Sequence, residues 1–138
     1  MEDEVRPGRA NIEFQNWPIL GPDSTVAAKA ALAASLQGRY WEFIEYFYVN
    51  QGLEADDYVT DEFLTDIAEQ AGVPDIDKWN EDRNLPRWEN DILRNDEDAI
   101  RLNFGGTPAF ALRLADGSLE PIEGGSVDDI KKAIRQAQ

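Results

Sequence analysis

Few residues in this sequence have side chains suited to catalysis, because its 138 positions include neither a cysteine nor a histidine. Zinc, haem and iron–sulfur sites lose their usual ligands, and Ser-His-Asp and Cys-His catalysis lose their base or nucleophile. No cofactor is called for. Asp56, Asp57, Asp96, Glu97 and Asp98 are of the type that binds hard cations such as calcium. They lack the spaced loop of an EF-hand and read as solvated acidic faces. A carboxylate-pair hydrolase needs two acids opposed across a cleft, and no spacing here indicates one. Gly105-Gly106 and Gly124-Gly125 lack a nucleotide-loop context and read as turns. What remains is Asn103-Phe104-Gly105-Gly106-Thr107-Pro108-Ala109-Phe110. Its glycines supply backbone freedom for a sharp turn, and Pro108 sits where a strand tolerates proline, at its start. An X-Pro bond in a tight turn can be cis at roughly 0.5–1 kcal/mol. The local sequence by itself favours the trans form. Thr107 reads locally as a β-branched strand starter.

The elements that must hold this loop follow from periodicity. Met1 to Gly8 is a polar lead-in ending in Pro7-Gly8. It is acidic, without the apolar stretch of a signal peptide. Asn11 to Gln15 alternates, predicting a strand with Ile12 and Phe14 inward, closed by Trp17-Pro18. Asp23 or Ser24 is the expected N-cap of an alanine-rich helix over Thr25–Leu36, with Gly38 as its C′ residue. In a second helix, Tyr40–Asn50, the residues Tyr40, Phe43, Ile44 and Phe47 share a face. Trp41 and Tyr48 widen it, predicting burial on two sides. After the acidic loop Glu54–Asp57, Thr60 caps a helix with Phe63, Leu64, Ile67, Ala68 and Ala71 on one stripe, stopped at Gly72. Pro74-Asp75 opens a short helix with Ile76 and Trp79 inward. Pro86 fits the first turn of the next, which runs to about Leu102. Trp88, Ile92 and Ala99, with Leu93, Ile100 and Phe104, are its candidate buried residues, and Asn95–Asp98 its solvated face. Strands Ala109–Leu114 and Leu119–Ile122 flank the hairpin signal Asp116-Gly117. Ser126 and Asp129 approach a capping box for a last helix whose inward stripe is Val127, Ile130, Ile134 and Ala137.

The formal net charge is -15, which argues against nucleic acid and anionic membranes as partners. Lysine occurs only at Lys29, Lys78, Lys131 and Lys132. An acidic, lysine-poor surface suits work in high salt, where screening suppresses self-repulsion, and equally an ordinary acidic protein. No apolar run approaches the ~20 residues of a membrane span. The order strand, helices, hairpin, helix is an α/β layout in which a helical subdomain interrupts a small sheet.

The "GGTPAF" stretch, followed by strand, turn, strand and helix, resembles the back half of the thioredoxin fold. Asn16-Trp17-Pro18-Ile19-Leu20-Gly21-Pro22-Asp23-Ser24, leading into Ala27–Ala34, resembles the DsbA-like thiol–disulfide oxidoreductases, in which such a segment follows the second core strand. The resemblance runs from about Arg9 to Ala137. It implies one DsbA-like domain with a partial thioredoxin-like fold: core strand and loop over 9–20, helical subdomain over 24–104, and proline loop, hairpin and last helix over 105–138. It implies a cis bond before Pro108 and a substrate-binding role for Gly106, Thr107 and Pro108. The partner would be a cysteine-bearing client in extended form, and the family is often extracytoplasmic. The family's Cys-x-x-Cys is absent, so this polypeptide by itself cannot exchange a disulfide. A cysteine-free peptide-binding module is the alternative, and a glutathione-using relative with serine for cysteine a further one. The family's strand between the Ile12 and Phe110 strands is also missing, which leaves inner edges open to dimerisation, element swapping or a shifted pairing.

Overall fold

A computed structural model describes Gly8, residues 10–53 and residues 57–137. The rest of the lead-in Met1–Gly8, and Glu54 to Asp56 of the acidic loop, lie outside these residues. Two compact units form: one from residues 1–17 and 94–138, the other from residues 18–93.

The second unit is helical. Helix α1 (Pro22–Ser35) buries Ala28, Ala30, Ala31, Ala33 and Ala34, and their short side chains let α2 (Tyr40–Val49), α3 (Asp61–Gln70) and α4 (Ile76–Asp82) pack against its backbone. The fully buried Trp79 of α4 donates its indole N–H to the Ala30 carbonyl at 2.9 Å, and its ring lies 6.1 Å from that of Phe43. Phe43, Leu64 and Ile67 are the other large side chains buried completely among the described residues, each worth roughly 1.5–3 kcal/mol by burial. Thr60 caps α3 and Asp75 caps α4 through their side-chain oxygens.

Several expectations need correction here. Helix α1 starts at Pro22 behind Gly21, with no side-chain cap, rather than at a cap from Asp23 or Ser24. A proline at the first helical position is pre-organised for the turn and wastes no donor. Helix α2 is buried on one side only: Trp41 and Tyr48 are exposed, because the alanine face of α1 and the stripe of α3 cover only the Phe43–Ile44 face. Ile76 is half-buried.

Helix α5 (Arg87–Arg101) begins in the helical unit and ends in the other. Trp88 and Ala99 are buried, but Leu93 and Ile100 are exposed; an apolar residue outside the packed stripe stays in water at modest cost. In the other unit, strands β1 (Ala111–Arg113) and β2 (Leu119–Pro121) pair antiparallel, Leu112 opposite Glu120. The flanking bonds Ile122 N–H to Phe110 O (2.8 Å) and Leu114 N–H to Ser118 O (2.9 Å) extend the ladder. Pro121 thus falls opposite Ala111 in a non-hydrogen-bonded pair, where its missing N–H costs the ladder nothing. Helix α6 (Val127–Gln136) buries Ile134. Val127 and Ala137 are exposed, since so short a hairpin unit offers too little apolar surface to cover a three-turn stripe.

The strand expected over Asn11–Gln15 does not form: residues 10–19 have no strand pairing, Ile12 is exposed and Phe14 half-buried. A strand exists only through a partner's ladder, and none among the described residues offers one. The segment is held by side chains instead. The Trp17 indole N–H donates to Asp96 Oδ1 at 2.8 Å, Asn95 Nδ2 donates to the Asn16 carbonyl at 2.8 Å, and Arg113 Nε lies 3.6 Å from Glu13 Oε2.

Candidate functional site

The loop from Asn103 to Phe110 is suspended between two fixed ends. Upstream, α5 closes with Phe104 N–H bonding the Ala99 carbonyl and Asn103 N–H the Ile100 carbonyl, both at 3.0 Å. This six-to-one, five-to-two pattern is a Schellman closure, with Asn103 at φ 57 in the left-handed position. Gly38 and Gly72 close α1 and α3 by the same pattern. Asparagine tolerates that conformation better than most residues, and an asparagine just past the last periodic residue is a signal the sequence offers. Downstream, Phe110 enters the hairpin through its carbonyl. Its ring packs where a Gly125 side chain would begin, 3.6 Å from that point.

Between these ends the chain is open. Gly105, Thr107 and Pro108 are exposed and Gly106 half-buried. The Thr107–Pro108 bond is cis. No hydrogen bond among the described residues engages the backbone of Gly105, Gly106, Thr107 or Ala109. The two glycines are not needed for conformation, since neither has a left-handed φ, and a β-carbon at either would meet open space. The helix is closed by the left-handed Asn103, and the chain bends again over Gly106 to Pro108. The loop therefore presents unsatisfied N–H and C=O groups to solvent, able to bond an extended chain laid against them.

The hairpin end of the site is braced by a capping box. Asp129 Oδ2 accepts from the Ser126 N–H (3.1 Å) and hydroxyl (2.6 Å), and Ser126 Oγ accepts from Asp129 N–H (3.1 Å). The hydroxyl first, then the backbone N–H, holds the Asp129 carboxyl below its ordinary range. Gly124 precedes this box at φ +84, where a β-carbon would lie 2.4 Å from Asp129 Oδ2, so glycine is required on two counts. In the hairpin turn, the Ser118 hydroxyl and N–H similarly hold Asp116 low.

Asp96 accepts from Trp17 and Asp98 pairs with Arg101 at 2.6 Å. Asp56 is outside the described residues, among which no group of three or more such side chains could hold a metal ion. The solvated face expected at Asn95–Asp98 is thus in part an anchor for residues 16 and 17, which a helix-surface asparagine and aspartate do not announce.

A family model described as "DSBA-like thioredoxin domain" matches residues 9–135. Two relatives, each called "Probable disulfide bond formation protein D", from Bacillus anthracis and Bacillus cereus, are each 25% identical over 136 residues. The match covers 96% of this chain but 60% of each relative's length. A solved structure of a thioredoxin-like oxidoreductase from Silicibacter pomeroyi DSS-3 superposes with a TM-score of 0.66 at 31% identity, covering 90% of this chain and 68% of that one. These matches fit the α/β, partial thioredoxin-like reading.

Proposed function

The chain belongs to the DSBA-like thioredoxin domain family, and on that premise we propose that it is the client-holding part of a protein thiol–disulfide oxidoreductase. The observation that carries this reading is the internally unbonded backbone of Gly105 to Thr107, exposed at Gly105 and Thr107, between the end of α5 and the hairpin. Thr107 would exchange main-chain hydrogen bonds with an extended client segment. The open space over Gly106 would admit the client backbone, and Pro108 would pack against the reacting disulfide.

In the reaction, a thiolate attacks one sulfur of the client disulfide, forms a mixed disulfide and expels the other client sulfur as a thiolate. A second enzyme thiolate then attacks the mixed disulfide and releases the reduced client; the reverse sequence oxidises it. This chain has no cysteine, so both thiolates would come from polypeptide outside it. Intact mass of the protein from its source organism, before and after reduction and alkylation, tests this. A mass above 15.5 kDa that gains two alkyl groups only after reduction supports it. A mass near that value with no alkylation overturns it.

The missing cysteines favour one other reading, a redox-inert module of the same family that binds an extended peptide or partner. An open sheet edge also makes a homodimer a reasonable state. Size exclusion at two concentrations, in low and high salt, would count against both the dimer and high-salt adaptation by showing one compact monomer under all conditions.

A further inference from the structure

Helix α2 turns a mixed aromatic and acidic face to solvent. Trp41, Glu45 and Tyr48 fall at i, i+4 and i+7 and so share one face. Trp41 is 49% exposed and Tyr48 57%, with Val49 at 77% and Leu53 at 73% just beyond. Isolated exposed apolar residues are ordinary, but a contiguous group with a polar border marks an interaction surface.

This one rests on a firm base. The Phe47 ring meets Tyr48 edge-on at 5.9 Å, and Phe47, Tyr58 and Phe63 contact one another at 5.2–6.3 Å. Gly52 lies against the Tyr58 ring so closely that a β-carbon would sit 2.8 Å from Cγ. The exit of α2 is thereby fixed against the cluster.

Charge selects the partner. Between Pro18 and Leu93 there are 16 acidic residues and five basic ones, Lys29, Arg39, Lys78, Arg83 and Arg87. All five are already engaged. Lys29 pairs with Glu89, Arg39 with Glu42, Lys78 with Asp82 and Arg83 with Asp61, while the Arg87 guanidinium stacks over the Trp88 ring at 4.1 Å. An acidic partner would find no unengaged cation among these side chains. A basic one would find carboxylates and aromatic faces together, the surroundings that favour a cation over a ring.

We propose that the α2 face around Trp41 and Tyr48 docks a basic amphipathic helical segment of another protein, apolar side chains on the rings and lysine or arginine toward Glu45. The proposal is independent of the redox reading, since it needs no thiol and uses none of the loop at Thr107.

The test titrates the isotope-labelled full chain with a leucine–lysine amphipathic helical peptide, and with a counterpart in which glutamine replaces every leucine. Amide shift changes concentrated between residues 41 and 53 are expected, with the glutamine peptide at least about tenfold weaker. Trp41→Ala and Tyr48→Ala should each weaken binding about tenfold, as truncated aromatic anchors do, with helix content unchanged. Leu93→Ala, at an exposed leucine on α5, should leave binding as it was. Equal affinity for the two peptides, shifts spread over the whole acidic surface, or full binding by the two aromatic variants would overturn the proposal. The shift map on the unaltered chain decides the matter even if a variant folds poorly.

Discussion

Replacing Gly124 by alanine isolates two costs that can be separated. At φ +84 a residue with a β-carbon is strained by roughly 1–2 kcal/mol. The new β-carbon would also begin 2.4 Å from Asp129 Oδ2 and 2.8 Å from its Cγ, so the carboxylate must leave Ser126. Losing that side of the cap costs about 1 kcal/mol. Gly124→Ala is therefore expected to lose roughly 2–3 kcal/mol in urea unfolding followed by circular dichroism. Asp129→Ala alone loses only the cap, about 1 kcal/mol. In the double variant the collision is gone and the cap is lost once, so its total should match Gly124→Ala, giving a coupling of about 1 kcal/mol in the cycle. Gly117→Ala supplies the comparison, having φ +86 with nothing within 4 Å; it should show the strain without the coupling. Additive costs in the cycle, or a Gly124→Ala variant as stable as the parent, would refute the reasoning.

Gly106→Val places bulk in the space above the proline loop, where nothing on this chain is in the way; it should leave the unfolding midpoint unchanged and weaken capture of an extended cysteine-bearing peptide by tenfold or more, measured by calorimetry on the parent protein. Asp96→Ala removes the acceptor for Trp17 and should cost about 1.5–3 kcal/mol, with faster solvent exchange of the Trp17 indole proton. In acid, Asp116 and Asp129 have folded pKa values below their unfolded ones, so their contribution is complete above an unfolded value of about 3.9 and is lost as pH falls through the lower folded values. The unfolding midpoint should decline below about pH 4, less steeply in Asp129→Asn; an identical decline in both would remove that carboxylate from the explanation.

Much of the scaffold can be read in the sequence because it is local. Thr60, Asp75 and Ser126 act through N–H groups three residues away, Gly38 and Gly72 through their own dihedrals, and Asp116-Gly117 through one turn. The failures are non-local. Asn11–Gln15 alternates like a strand, but pairing is decided by a partner elsewhere in the chain. Trp41, Tyr48, Leu93, Ile100 and Val127 are apolar, but apolarity does not guarantee cover. Asn95 and Asp96 look like ordinary helix surface, and their use appears only with Asn16 and Trp17 in place. The loop at Thr107 was visible from composition and order. That its opening turn rests on Asn103 rather than on two glycines was not, because glycine permits unusual dihedrals without requiring them.

The four tryptophans are placed so that light absorbed by each reports on a different question. Trp79 and Trp88 are buried, hydrogen-bonded to the carbonyls of Ala30 and Asp82, with guanidinium groups over their rings; their emission belongs at the blue side of the spectrum and moves only when the helical unit melts. Trp17 is half-buried beside a carboxylate. Trp41 is about half exposed to bulk water, so solvent relaxation places its emission at the red edge. A blue shift of that edge with the rest of the spectrum still signals occupation of the α2 face, and a red shift of the whole signals unfolding, which gives the protein an intrinsic optical probe without any added dye.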